Sequence, residues 1–203
     1  MIIQKEGYSF GGWSKTENGS IDYFVGDECF IPIGSTSLTL YPVWIPNNNA
    51  IKFNPNGGIG EMSDQMLATG TTHFLNKNLF SKDGYHFIGW TETENDGVKY
   101  LDGANYTMGV ESDYVLYAVW EANENKILFN STLGSGEMDS QIIKTDETVT
   151  LNACSFLPPS GYYFIGWTDE EKGTDVKYTD CASFTMTTDP SITLYAIWEK
   201  VKT

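Results

Sequence analysis

The side chains of this chain that could do chemistry are few, and their spacing suits none of the usual devices. The histidines are His73 and His86, and the cysteines stand at 29, 154 and 181. A structural zinc site draws on Cys and His at close paired spacing, and the chain has no Cys-x-x-Cys and no His pair at ligand spacing. Cys154 and Cys181 could pair by chance; the plainer expectation is three small thiols, buried or half-buried. Catalysis by Cys154 or a serine would need an oriented base, and the sequence suggests none.

Acidic residues cluster after two Gly-Trp pairs, as Glu92, Glu94 and Asp96 and again as Asp169, Glu170 and Glu171. A calcium loop of the EF-hand type needs alternating Asp or Asn, a Gly at six and a Glu at twelve. No segment meets this, so these stretches read as solvated hairpin tips. Gly57-Gly58-Ile59-Gly60 lacks the Gly-Lys-Ser/Thr and the opening helix of a phosphate cradle, and reads as a turn. Asn18-Gly19-Ser20, Asn105-Tyr106-Thr107 and Asn130-Ser131-Thr132 fit the glycosylation sequon, a motif short enough to match by chance. No catalytic, cofactor-binding or metal residue is assigned. The expectation is a protein that is not an enzyme and carries no cofactor.

Trp13, Trp44, Trp90, Trp120, Trp167 and Trp198 are the remaining candidates, since exposed Trp is the usual platform for a sugar. Each recurs at an equivalent place in a repeat. Gly7-Tyr8-Ser9-Phe10-Gly11-Gly12-Trp13 returns as Gly84 to Trp90 and as Gly161 to Trp167, at spacings of 77. Leu-Tyr-x-x-Trp stands at 40–44, 116–120 and 194–198. A third block, Phe53-Asn54 through Gly60-Glu61-Met62, returns at Phe129-Asn130 through Gly136-Glu137-Met138. A ring recurring on a strand with two apolar faces is better explained as core than as platform.

The repeat divides the chain into a truncated unit at 1–44, a connector at 45–50, a unit at 51–121, a connector at 122–126 and a unit at 127–199. The connectors are polar and Asn-rich, and their near-equal length suggests a regular head-to-tail geometry, although flexible linkers would look the same. In the first unit Ile3 matches Phe80, so the equivalent of Ile51 to Lys77 is missing. That unit is expected to expose apolar strand surface and to be open to self-association with another chain.

Composition agrees with strands. Aromatics are 14%, hydrophobic residues 40% and charged residues 19%, a globular mix with the rings and small polar residues of strands and turns. Ile51 to Asn54 reads as a strand closed by Asn56-Gly57-Gly58, whose residues tolerate positive φ. Extended stretches follow at 65–75 and 141–151. Residues 76–82 form a short helix or an irregular crossover, and Pro158-Pro159 shortens any helix in the third unit. Tyr85 and Phe87 should share one face of a strand, and Ile88 and Trp90 the other. Gly12, Gly89 and Gly166 should admit a neighbouring aromatic ring. Pro42, standing where Ala118 and Ala196 stand, has no N–H to give and places its strand at an edge.

Net charge is −15, from 27 acidic residues and 12 basic ones, all of them Lys. Such a surface repels phosphate and anionic lipid, so no nucleic-acid partner is expected. No apolar run approaches the roughly 20 residues that span a bilayer, so no membrane insertion is expected in this segment. Met1 to Glu6 lacks the layout of a signal peptide, and the chain reads as a piece of a longer exported one.

These blocks resemble the Listeria–Bacteroides repeat, the B-repeat type of internalins and related surface proteins. The residues that carry the resemblance are Phe53 to Gly58, Gly60 to Met62, Gly84 to Trp90, Asp102 to Ala104, Tyr106 and Leu116 to Trp120. The third unit departs at Ser131-Thr132-Leu133, where the second has Pro55-Asn56-Gly57, so its first turn should differ. The resemblance implies a mostly β fold of tandem β-grasp-like units, with four to five strands each and little helix, on exported and often wall-attached proteins. It brings no catalytic residues. The expected function is a stalk or spacer on the bacterial cell surface, contributing to adhesion. The alternative is a module that binds a host protein or glycan through variable loops, Tyr114 and Tyr163 among them, or through an exposed strand edge.

Overall fold

A computed structural model describes residues 3–202. Met1 and Ile2, read above as the start of the truncated unit, and Thr203 lie outside the described residues. The chain forms two compact units, Met1–Phe80 with Ile88–Val119, and Ser81–Phe87 with Trp120–Thr203.

The truncated repeat supplies β1 (Tyr8–Ser14) and β2 (Tyr41–Pro46), an antiparallel pair. The second repeat supplies β3 (Asn48–Asn54), β4 (Gln65–Ala68), β5 (Thr72–Phe74), β6 (Tyr85–Thr91), β7 (Asn105–Thr107) and β8 (Asp113–Ala122). The third repeats this as β9 (Glu124–Asn130), β10 (Gln141–Lys144), β11 (Thr148–Thr150), β12 (Tyr162–Thr168), β13 (Ser183–Thr185) and β14 (Ser191–Lys200). Each complete repeat has a four-stranded sheet, ordered β4-β3-β8-β6 and β10-β9-β14-β12, and a two-stranded ribbon, β5-β7 and β11-β13. β3 and β8 run parallel, as do β9 and β14; the other pairs with a defined register are antiparallel.

Strand form follows from side-chain period. Along β9, Asn125 and Ile127 are buried while Glu124, Lys126 and Leu128 face out, the alternation of a sheet covered on one side. β14 lies between β9 and β12, and its Leu194 and Ala196 are buried.

The third repeat closes its core with Ile127, Ile143, Leu151, Phe156, Trp167, Phe184, Met186, Leu194 and Ala196. The second repeat buries a residue at each of these nine positions, Ile51, Leu67, Leu75, Phe80, Trp90, Tyr106, Met108, Leu116 and Ala118, and adds Phe53, whose counterpart Phe129 is half-buried. The truncated repeat has no partner for the first three. Phe30, which aligns with Tyr106 and Phe184, is exposed, as are Phe24, Val25 and Ile33. Among the described residues β2 pairs with β1 alone, so Pro42 sits on an edge strand where no further ladder asks for its N–H.

Several expectations change. Among the described residues there is no helix, and residues 75–80 are irregular. The connectors at 45–50 and 122–126 are not coil: Asn47 and Asn123 alone separate β2 from β3 and β8 from β9. Their polar character has a structural use. Asn49 and Asn125 are buried, and their side-chain amides donate to Thr69 Oγ1 at 2.9 Å and Thr145 Oγ1 at 2.8 Å. Phe and Trp of the Gly-Tyr-x-Phe-x-Gly-Trp block, assigned to opposite faces, share one. The register of β12 against β14 shifts between Phe164 and Gly166, and this bulge adds one residue and reverses the alternation beyond it. The Phe164 and Trp167 rings then meet edge to face at 4.8 Å, and Phe10 and Trp13 at 5.1 Å.

Candidate functional site

Trp90 and Trp167 are wholly buried. Trp167 lies against Phe129 and Phe156, with centroids 5.0 and 6.2 Å away, and its Nε1–H has no hydrogen-bond partner. Phe53 and Phe80 stand against Trp90 at 4.9 and 6.1 Å. The other four Trp are half-buried. Trp13 lacks the strand that covers its counterparts. Trp44, Trp120 and Trp198 meet Phe10, Phe87 and Phe164 edge to face at 5.7, 5.7 and 5.6 Å. Core therefore describes two of the six completely and four in part.

The bulge glycine explains how Trp is held. A Cβ at Gly166 would lie 2.6 Å from the Tyr178 carbonyl oxygen and 2.5 Å from Val176 Cγ1; at Gly89 it would meet Tyr100 O and Val98 Cγ1, both at 2.5 Å. The close neighbour is thus a backbone carbonyl and a valine, where an aromatic ring was expected. Trp90 N–H donates to Tyr100 O at 2.7 Å, and Trp167 N–H to Tyr178 O at 2.7 Å. Trp13 does the same to Tyr23 at 2.8 Å. These tyrosines, absent from the sequence reading, recur 77 and 78 residues apart, which is the signal that would have found them.

The segment that returns to this bridge closes the acidic loops on themselves. Glu92 accepts from Lys99 Nζ and, at 2.7 Å, from the Tyr100 hydroxyl. Partial burial works against ionising Glu92, yet the Lys99 and Tyr100 hydrogen bonds outweigh it and hold the carboxyl below its ordinary value. Burial first and the Glu92 bond second push Tyr100 up to about 12. In the third repeat Lys177 Nζ lies 2.5 Å from Asp169 and 3.5 Å from Glu170. Asp96 accepts from the Gly97 amide. Among the described residues no group of three His, Cys, Asp or Glu could hold a metal ion.

His73 lies in β5 opposite Tyr106. His86 sits in a polar cleft with Glu121, Asn123 and Lys144: its Nδ1 is 2.8 Å from Asn123 Oδ1 and its Nε2 3.5 Å from Glu121. Lys144 reaches the same Glu121 at 3.3 Å. A second cleft exposes the Trp198 ring beside Leu133, Ile165, Lys172 and Gly173. Gly57 and Gly58 form the expected turn, in which Asn56 takes φ 47° and its Nδ2 donates to Ala118 O at 2.9 Å. In the third repeat Thr132 takes that conformation at φ 53°, and its Oγ1 donates to Ala196 O at 2.7 Å. The sequence of the turn differs while its anchor persists. Cys29 and Cys181 are exposed and Cys154 is half-buried, and all three are free. Exposure at 29 and 181 departs from the expected burial; both stand outside the strands.

The repeat spacing, the shared core and the clamped Gly-Trp strand coincide with matches to known families. The Listeria-Bacteroides repeat domain matches residues 2–42 and 50–119, and the divergent InlB B-repeat domain matches 129–202. The chain belongs to the Listeria–Bacteroides repeat family. Two proteins of Evansella cellulosilytica are similar to it. One, provisionally described as a Gly-rich membrane protein, is 31% identical over 97% of this chain and 21% of its own length. The other, provisionally described as a membrane protein, is 30% identical over 96% of this chain and 27% of its own. The chain thus spans about a quarter or less of these relatives. No solved structure matches. Among the described residues no helix is long and apolar enough to cross a membrane.

Proposed function

We propose that this Listeria–Bacteroides repeat segment is a non-catalytic spacer within a bacterial cell-surface protein, holding a distal part away from the envelope and so contributing to adhesion. The observation that carries the reading is the one-for-one match of nine core positions in two repeats. Of the acidic loop residues, Glu92 is meanwhile occupied by Lys99 and Tyr100, and Asp169 by Lys177. A family of repeat domains and relatives described as membrane proteins support an envelope location outside the cell.

A second reading, a module for a host glycan or protein, has its own support. The half-buried Trp198 beside exposed Leu133 offers an aromatic contact of the kind sugars stack on, and the free edge of β2 offers strand addition. That edge, together with the exposed Phe24 and Phe30 between β1 and β2, is where the first repeat would pair with another chain.

Two measurements divide the readings. In chains carrying one, two and three added repeats, a spacer gains a constant increment of maximum dimension in small-angle scattering; a dimension that stops growing contradicts it. On glycan and host-protein arrays the spacer shows no saturable binding. Saturable binding that disappears with Trp198→Ala establishes the module instead.

A further inference from the structure

The three Gly-Tyr turns of this chain share one backbone contact and differ in what covers them. Gly7 O accepts from Asn47 N–H at 3.0 Å, Gly84 O from Asn123 N–H at 2.9 Å, and Gly161 O from Val201 N–H at 2.8 Å. All three glycines hold φ between 74° and 78°. Each turn is thus built to the same plan; Asn47 and Asn123, beside the first two, are the residues where one repeat hands the chain to the next.

In the first two turns the glycine is packed against the following repeat. A Cβ at Gly7 would lie 2.8 Å from Thr69 Cγ2 and 2.9 Å from Val110 Cγ1. A Cβ at Gly84 would lie 2.6 Å from Thr145 Cγ2 and 3.1 Å from Thr188 Cγ2. Thr69 and Thr145 hold the same place, just after β4 and β10. Each is fixed by the Asn one strand earlier, since Thr69 N–H donates to Asn47 O at 2.9 Å and Thr145 N–H to Asn123 O at 3.0 Å. The tyrosine then reaches the next residue of that turn, Gly70 under Tyr8 and Asp146 under Tyr85. Around Gly161 a Cβ would meet nothing within 4 Å. Tyr163 and Val201 beside it are about half exposed, at 46% and 50%.

We propose that the face formed by Gly161, Tyr162, Tyr163 and Val201 is a docking surface for one kind of partner, another repeat unit that presents a threonine at the position of Thr69 and Thr145. The occupant is set by continuity with the two filled junctions. At the two filled junctions a threonine methyl takes the volume that a side chain on the glycine would need, and the turn carries the same positive φ and the same hydrogen bond whether filled or open. Discrimination lies in the residue after the threonine, which must leave room for the tyrosine ring, as Gly70 does, or accept from its hydroxyl, as Asp146 does. This goes beyond the spacer reading, because an array of ligand-binding modules would join its repeats in the same way.

Asparagine tolerates positive φ far better than other side-chain-bearing residues, so Gly→Asn probes the packing with little backbone strain. In the full chain Gly84→Asn is expected to lower the melting temperature by several degrees, and Gly161→Asn to leave it within about a degree. The chain is then continued after Thr203 by a second copy of residues 126–203, which places a new Thr145 in reach. There Gly161→Asn should become as damaging as Gly84→Asn, and amide exchange at Val201 should slow about tenfold or more against the 203-residue chain. Three results overturn the proposal: Gly161→Asn still silent in the extended chain, an added copy that melts in a separate transition insensitive to Gly161→Asn, or unchanged exchange at Val201.

Discussion

The Tyr85 hydroxyl donates to the Asp146 carboxylate at 2.7 Å, joining the turn before β6 to the turn between β10 and β11. Asp146 sits at φ 62°, a conformation Asp reaches more easily than most residues. Tyr8 stands in the equivalent place over Gly70, where no carboxylate answers it. The two junctions have one geometry and different chemistry, so they should respond differently to pH and to mutation.

The Asp146 hydrogen bond is the largest influence raising the Tyr85 pKa above its ordinary 10.0. A raised folded-state pKa means the contribution is complete below 10.0 and fades as pH climbs through the higher folded value. Tyr85→Phe should therefore cost a little stability at neutral pH, about 0.5 kcal/mol or less because the pair is exposed. The difference from the parent should vanish in strongly alkaline buffer. Denaturant melts of both proteins at pH 7 and pH 11 check this; a constant gap would contradict it.

Glu92 gives the opposite sign. Its folded-state pKa is held below the ordinary 4.5, so its contribution is present above 4.5 and is lost as pH falls through the depressed value. Glu92→Gln should narrow the stability difference between pH 7 and pH 3. Melts at those two pH values would show it, and an unchanged acid dependence would speak against the Lys99 and Tyr100 contacts.

Gly166→Ala should be among the most damaging small substitutions. Gly166 holds φ 148° and its Cβ would collide with the Tyr178 carbonyl, so the bulge and the Trp167–Tyr178 bridge cannot both persist. A loss of about 2–4 kcal/mol is expected by urea denaturation. A loss under 1 kcal/mol would show that the bulge can relax.

Thr132→Asn should stabilise. Thr132 is β-branched at φ 53°, a costly conformation that Asn adopts more readily. Asn56 already fills that role in the second repeat, reaching Ala118 O as Thr132 reaches Ala196 O. A gain of about 0.5–1 kcal/mol is expected from the melting curve; a loss would mean that the Trp198 Nε1 contact to Thr132 Oγ1 at 3.2 Å outweighs the strain.

Much of this was legible in the sequence because the repeat supplies its own comparison. Phe53 and Phe129, or Leu116 and Leu194, announce equivalent core positions by recurring. The shared face of Phe164 and Trp167 was not legible, since simple alternation has no way to register the bulge at Gly166. The strands through Asn49 and Asn125 were hidden as well. Their amides are buried against Thr69 and Thr145, and a polar run that satisfies its own hydrogen bonds looks the same as a linker. The clamping tyrosines Tyr100 and Tyr178 lie beyond a loop whose length differs by one residue, which blurred their recurrence.

Wholly buried Trp90 and Trp167 make the Gly-Trp pair the structural heart of the two complete repeats. Trp167→Ala, followed by chemical denaturation of the full chain, tests it most directly. Loss of about 3–5 kcal/mol is predicted for the unit that contains Trp167, with its near-ultraviolet signal collapsing at lower denaturant. A variant as stable as the parent that had lost binding to a glycan the parent retains would contradict the account.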